Sequence, residues 1–272
     1  MEGTEMADRG RTRRVLGRWL HRLRLRSPLN ELRFFLTRPE WWVEARPRNR
    51  FLRTLFRPGD LVFDVGANDG GVSEWNAALG ARVVSVEPQP ACALAARPRL
   101  QKYPAITWVG MAVGAARGEA DLWIASEGSP ISSMAADWID AVRDSRRFEG
   151  HDWQQRITVP VTTLDALIER YGRPVYCKID VEGYEQQVLQ GLTAPIPWVS
   201  FEYTPENRGH ATACVRRLAE LGDARFNVMI HHSWTYQWES WLDAAEATRR
   251  LESPDDRLAA GGDVYCRTNQ RA

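Results

Sequence analysis

The chain lacks paired cysteines, long apolar runs and any marked net charge. Its four cysteines, Cys92, Cys177, Cys214 and Cys266, are scattered with no CxxC pair. That argues against a disulfide framework and a cysteine-built zinc site, and is the usage expected of reduced core thiols in a cytoplasmic protein. No apolar stretch approaches the ~20 residues of a membrane span. The N-terminal residues lack the apolar core of a secretory signal, so export is not expected. A net charge of +1 over 272 residues gives no global attraction to nucleic acid or to a membrane. Internal repeats and low-complexity tracts are absent as well.

What is present is an ordinary globular composition, 44% apolar and 26% charged, long enough for one large α/β domain plus an extension. Twelve tryptophans are many for this length. Charge is unevenly spread. Residues 9–26 hold eight arginines and no acid, with Val15, Leu16, Trp19, Leu20 and Leu23 at helical spacing. This predicts a basic amphipathic helix, which either docks on the rest of the chain or touches an anionic surface such as a membrane face or an acidic carrier. An apolar patch at 32–43 ends in Trp41-Trp42, and Pro58-Gly59 marks a turn. We divide the chain into a basic helical N-terminal extension, 1–57, and a main domain, 58–272.

From Asp60 onward strand-like and helical patterns alternate, which predicts βαβ units and a mostly parallel sheet. Strands are expected at 61–65, 82–86, 106–109, 175–179 and 198–202. An extra strand or hairpin is expected at 120–125, a short strand at 157–161, and a closing antiparallel pair at 226–230 and 264–267. Helices are expected near 71–79, 90–100, 163–171, 184–190 and 210–221, with 131–148 partly helical.

Two strand ends carry the chemistry. Leu61-Val62-Phe63-Asp64-Val65-Gly66-Ala67-Asn68-Asp69-Gly70 and Val175-Tyr176-Cys177-Lys178-Ile179-Asp180-Val181-Glu182-Gly183-Tyr184-Glu185 each run apolar, stop at an acid and turn through glycine. That is how a parallel sheet presents a ligand at the carboxyl ends of its strands. A dinucleotide fingerprint would read Gly-x-Gly-x-x-Gly. Gly66 and Gly71 fit it, but Asn68 stands where the pyrophosphate needs a glycine. Asp64 would repel a phosphate and attract a cationic ligand such as S-adenosylmethionine. Glu87, followed by Pro88, closes the next strand, where a carboxylate accepts hydrogen bonds from ribose hydroxyls. That feature alone suits either ligand, and either acid is also readable as a helix cap.

Taken in order, Val62–Gly70 by sequence, Val86-Glu87-Pro88, Ala112-Val113-Gly114, Ser132-Ser133, Thr163-Leu164-Asp165 and Lys178-Ile179-Asp180-Val181-Glu182-Gly183-Tyr184-Glu185 resemble the FkbM family of S-adenosylmethionine-dependent methyltransferases. The resemblance covers roughly residues 58 to 205. It implies a class I methyltransferase (Rossmann-like) fold: a mostly parallel seven-stranded sheet with helices on both faces. It also implies S-adenosylmethionine as cofactor and hydroxyl oxygens of sugars, polyketides or other secondary metabolites as acceptors. By the resemblance Asp64, Gly66 and Asn68 belong to the methionine end and Glu87 to the ribose, with Ala67, Gly70 and Pro88 as further cofactor-binding residues. Ala112 and Val113 belong near the adenine, and Ser133 to the same cofactor set.

An alcohol is a poor nucleophile, so a proton acceptor is expected beside the methyl donor. Asp180 is the first candidate. Lys178 shares its strand parity, so both side chains leave on one side. Glu202 ends the next strand at the same sheet edge. The alternative for all three is a buried charge network that fixes two strands. His231, with His232 after the strand at 226–230, is a further candidate base, or else a polar surface residue. The aromatic run 231–238 reads as an acceptor lid or as packing of the C-terminal extension. Glu182 is either a helix cap or an acceptor contact. Two carboxylates and a histidine near one sheet edge raise a divalent-metal option, but no tight ligand motif supports it and no metal site is assigned. The expected reaction is methyl transfer from S-adenosylmethionine to a hydroxyl oxygen of a small molecule or glycan, with no nucleic-acid partner. The alternatives are a nicotinamide-dependent oxidoreductase, against which the missing Tyr-x-x-x-Lys pair also weighs, and a non-catalytic binding protein that keeps the fold.

Overall fold

The apolar runs read from the sequence become the strands of one sheet. A computed structural model describes residues 40–126, 128–145, 151–230, 233–253 and 256–268. The arginine-rich segment 9–26, most of the apolar stretch 32–43, and His231 and His232 lie outside the described residues. The chain enters through helix α1 (Glu40–Leu52). Strand β1 (Leu61–Val65), helix α2 (Gly71–Ala78), strand β2 (Arg82–Val86), helix α3 (Pro90–Lys102) and strand β3 (Ile106–Val109) follow as βαβ units. Later come β7 (Tyr176–Ile179), α6 (Glu185–Gln190), β8 (Trp198–Tyr203), a 3₁₀ turn (Pro205–Asn207), α7 (Arg208–Leu221), β9 (Ala224–Ile230), α8 (Ala244–Glu252) and β10 (Gly262–Thr268).

The sheet has seven strands in the order β3-β2-β1-β7-β8-β10-β9. β3, β2, β1, β7 and β8 pair in parallel. β10 inserts antiparallel between β8 and β9, the closing pair expected from the sequence. Strand order moves outward from β1 to β3, then restarts on the other side of β1 with β7. Such a switch point opens a crevice at the carboxyl ends of the two strands, here β1 and β7.

Helices cover both faces, so the strands read as nearly continuous apolar runs. On one face Leu61, Phe63, Val65, Cys177, Ile179 and Phe201 pack with Leu164, Val188, Leu189, Val215 and Leu251 from the helices. On the other, Val62, Val83, Tyr176 and Tyr265 pack with Phe51, Leu52, Leu55, Phe56 and Ala77. Residues 51–56, placed in the extension by the sequence reading, thus belong to this core. Ordinary burial of this kind contributes about 1.5–3 kcal/mol per large side chain. The second face is not wholly apolar. Register aligns Ser85, Asp64, Lys178 and Ser200 across four strands, so one polar row crosses the sheet towards the crevice.

An insertion between β3 and β7 builds a second layer. β4 (Ala112–Val113), β5 (Gly118–Ile124) and β6 (Gln155–Thr162) form a separate three-stranded sheet, ordered β4-β6-β5. It is followed by α5 (Leu164–Tyr171). Helix α4 (Ala136–Asp144) lies between β5 and β6, and its Trp138, Ile139 and Val142 pack with Ile131 and Trp153 in a small core of their own. Among the described residues no helix is long and apolar enough to cross a membrane.

Candidate functional site

The turn after β1 exists because glycine stands where no side chain fits. Gly66 has φ 81°, and a Cβ added there would lie 1.7 Å from the Asp180 carbonyl oxygen. The chain leaving β1 therefore touches the chain leaving β7. Asn68 follows with φ 46° and Gly70 with φ 78°, the left-handed conformations that asparagine and glycine tolerate best. Gly70 then caps α2, whose N-terminal N–H groups begin at the crevice.

A cleft of about 510 Å³ opens there. Gly66, Asn68, Glu87, Pro88, Ala112 and Val113 line it, as does Asp180. Glu87 is buried, and its carboxylate is fixed by two backbone donors: Asn68 N–H to Oε2 at 3.1 Å and Gln89 N–H to Oε1 at 2.9 Å. Burial pushes its pKa up, against those two bonds. An ionised carboxylate still has lone pairs left for a ribose diol. Met111, Ala112, Val113 and Leu122 give the cleft an apolar wall suited to a flat base.

Four expected cofactor residues do not line the cleft. Asp64 is wholly buried beneath the turn, where Ser73 Oγ donates to its Oδ2 at 2.5 Å and approaches Ser85 Oγ at 2.6 Å. Its Oδ1 has no hydrogen-bond partner, and burial raises its pKa, with Lys178 acting the other way. Ala67 and Gly70 are buried in the turn backbone. Ser133 is buried behind the cleft and donates to the Glu182 carbonyl at 2.6 Å; its neighbour Ser132 lines the cleft instead.

At the β7 end, Lys178 and Asp180 meet at 2.5 Å. Burial alone would lower the Lys178 pKa, but Asp180, Asp64 and Asp263 together hold it above the ordinary lysine range. Asp180, Glu182 and Glu202 bring carboxylate oxygens within 4.8 Å of one another, close enough to influence one another's protonation or to meet around one hard cation. Glu182 and Glu202 are pushed well above the usual carboxylate range, by withdrawal from water first and by the Asp180 charge next. Glu202 lines an adjoining cavity with Trp138, Thr204, Asn207 and His210, so the cluster spans the wall between the two spaces. His231, the remaining candidate base, lies outside the described residues.

Sequence reasoning missed several members. Asp263 on β10 pairs in register with Glu202, and burial pushes it up to about 6, against the pull of Lys178. Glu185 accepts from the N–H groups of Val181 and Gly183, both at 3.1 Å, and burial raises it to about 7. Strand alternation would have found Asp263. Only the folded turn reveals the role of Glu185.

The cleft fits an adenosine-bearing cation better than a dinucleotide. Among the described residues no lysine or arginine lines it, while Glu87, Asp180 and Glu182 do. The charged side chains that a pyrophosphate would meet there are all negative.

No curated protein matches the sequence. Solved structures similar to this chain include precorrin-6y C5,15-methyltransferase from Geobacter metallireducens GS-15, with TM-score 0.42, 12% identity and coverage of 84% of this chain and 89% of that one. Another is SMU.1697c from Streptococcus mutans in complex with SAH, with TM-score 0.40, 9% identity and coverage of 83% and 98%. A third is an rRNA methylase from Streptococcus thermophilus, with TM-score 0.39, 9% identity and coverage of 82% and 95%. The methyltransferase FkbM domain matches residues 64–237. That match spans more than half of the chain and includes both strand ends of the cleft, so the chain belongs to the FkbM methyltransferase family and takes S-adenosylmethionine as its cofactor.

Proposed function

We propose that this methyltransferase moves the methyl group to a hydroxyl oxygen of a small molecule or glycan. The observation that carries the reading is the carboxylate cluster of Asp180, Glu182 and Glu202, two of whose members line the cofactor cleft while the third lines the adjoining cavity. When bound, the cofactor supplies a methyl group on a sulfonium that leaves as a neutral thioether. What remains for the protein is to orient the acceptor oxygen and take its proton. Orientation alone is worth effective molarities of about 10⁵–10⁸ M, and a positioned base about 10²–10⁴-fold more.

Asp180 lines the cleft and is oriented by Lys178. We assign to it the contact with the acceptor hydroxyl. Glu182 and Glu202, with their raised proton affinity, form with it a unit that receives the proton. Gly66, Asn68, Glu87, Ala112 and Val113 are assigned to the cofactor. Asp64 acts from beneath, as a buried negative charge under the turn. The same negative face disfavours a phosphate backbone as acceptor, which supports a small molecule or glycan. We assign the arginine-rich segment 9–26 to contact with an anionic surface. The cleft lining and Asn68 also speak against a nicotinamide cofactor.

The test is transfer of labelled methyl from S-adenosylmethionine to hydroxyl-bearing acceptors, followed by identification of the bond formed. A new methyl ether is the expected product. A methylated nitrogen or carbon would overturn the oxygen assignment, and tight cofactor binding with no turnover on any acceptor would favour a non-catalytic protein.

A further inference from the structure

The turn that carries Glu182 is held in a conformation it would not adopt alone. Glu182 has φ 54° and Gly183 φ 91°. A non-glycine residue in that region is disfavoured by about 1–3 kcal/mol and persists only where its surroundings impose it. The restraints come from three directions. Glu185 accepts from two N–H groups of the turn. Ser133 holds the Glu182 carbonyl at 2.6 Å. His210, on α7, places Nδ1 3.1 Å from the Gly183 carbonyl oxygen and Nε2 2.9 Å from Asp137 Oδ2 on α4. Trp138, next to Asp137, packs so closely that a Cβ on Gly183 would lie 2.4 Å from its side chain.

We propose that His210 is a positioning residue for methyl transfer: its imidazole clasps the insertion helix α4 to the Gly183 carbonyl and so fixes the turn that presents Asp180 and Glu182 to the acceptor. The proposal rests on the acceptor role given to those carboxylates above. Each end of the clasp is an acceptor, a carbonyl at one end and a carboxylate at the other. Both contacts are hydrogen bonds when each ring nitrogen carries hydrogen. The other ionisable groups around the ring are Glu202 from β8, Glu185 from α6 and Cys214 one turn along α7.

Two near-isosteres separate the ends of the clasp. An asparagine side chain carries its amide nitrogen on Cγ, where histidine carries Nδ1, and a glutamine reaches the place of Nε2. His210→Asn keeps the Gly183 bond and releases α4. His210→Gln releases Gly183 and keeps α4. Amide hydrogen exchange on the full chain should then quicken at residues 181–184 by about three- to tenfold in His210→Gln, the loss of one hydrogen bond, and stay as wild type in His210→Asn. A carbon-13 titration of labelled glutamate carboxyls gives a second readout. The Glu182 midpoint, raised in the wild type by burial and by neighbouring carboxylates, should fall towards the ordinary value in His210→Gln and be restored in His210→Asn.

Asp137 is exposed, so Asp137→Ala leaves the packing of the core intact. It should quicken exchange in α4 alone. Wild-type exchange at 181–184 and an unmoved Glu182 midpoint in His210→Gln, or unchanged α4 exchange in Asp137→Ala, would overturn the proposal. Calorimetric binding of S-adenosylhomocysteine should stay within about twofold of wild type in Asp137→Ala, because Asp137 does not line the cofactor cleft, whereas the turn released in His210→Gln carries the cleft residues Asp180 and Glu182. Loss of that binding from the wild type itself would instead sink the cofactor assignment.

Discussion

The carbonyl oxygen of Asp180 stands 1.7 Å from the position a Cβ would take on Gly66. The cofactor turn and the acceptor turn are therefore one contact, made on backbone that cannot yield as a flexible side chain would. Gly66→Ala has to separate β1 from β7 and also force alanine to φ 81°. We expect a stability loss of at least about 2 kcal/mol, read as a lower urea midpoint, and S-adenosylhomocysteine affinity reduced more than tenfold. A variant within 0.5 kcal/mol of wild type (roughly the noise of a surface substitution) with normal affinity would contradict this geometry.

Glu87 connects the two sides of the cofactor cleft, because its oxygens hold Asn68 and Gln89 while its side chain lines the cleft. Glu87→Gln keeps one acceptor oxygen and gains an N–H that faces a backbone donor. Calorimetry should show S-adenosylhomocysteine binding about 10–100-fold weaker, the equivalent of one or two good hydrogen bonds. Unchanged affinity would remove Glu87 from the cofactor site.

Asp180 and Glu87 should separate in their effects. Asp180→Asn preserves shape and removes a charge, so transfer should fall by about 10²–10⁴-fold with S-adenosylhomocysteine affinity changed only a few-fold. The cluster geometry adds a metal test. Transfer is expected to persist after chelation with EDTA; restoration by added Mg²⁺ of activity lost to the chelator would reassign Asp180, Glu182 and Glu202 as cation ligands.

Much of this site was legible in the sequence, for identifiable reasons. The strand ends at Asp64 and Asp180 announce themselves because each carboxylate stands at the end of a mostly apolar run, with a glycine two or three residues on. Glu87 is found by its spacing from the first turn. The two-residue strand Ala112–Val113 has no period of its own and exists only by pairing with β6. Helix α8 went unread although Asp243 caps it through the Glu246 N–H, a local signal that was available. The clasp of His210 on Gly183 and Asp137 joins three segments far apart in sequence, and no local pattern encodes it. Asp64 is a different kind of miss. Its position was right, but packing turned it inward to Ser73.

The last prediction concerns pH. Burial pushes the Asp263 carboxyl up to about 6 in the folded chain, from an ordinary aspartate value of 3.8. Between those values the folded chain holds more of this proton than the unfolded chain. Stability from this group therefore declines as pH rises through that window, and the penalty is complete above it. A shift of this size corresponds to about 3 kcal/mol at most, less whatever attraction to Lys178 is lost on substitution. Asp263→Asn should accordingly be about 1–2 kcal/mol more stable than wild type at pH 8 and no more stable at pH 4, measured by urea unfolding at both values. Lys178 has the opposite sense: its raised pKa gives stability that is fully present below the ordinary lysine value and lost only as pH climbs through the folded one. It therefore adds no slope between pH 4 and 8. A gain of the same size at both pH values would mean that the Asp263 carboxylate is not strained by its burial beside Glu202, and that the excess negative charge of this sheet edge is relieved elsewhere.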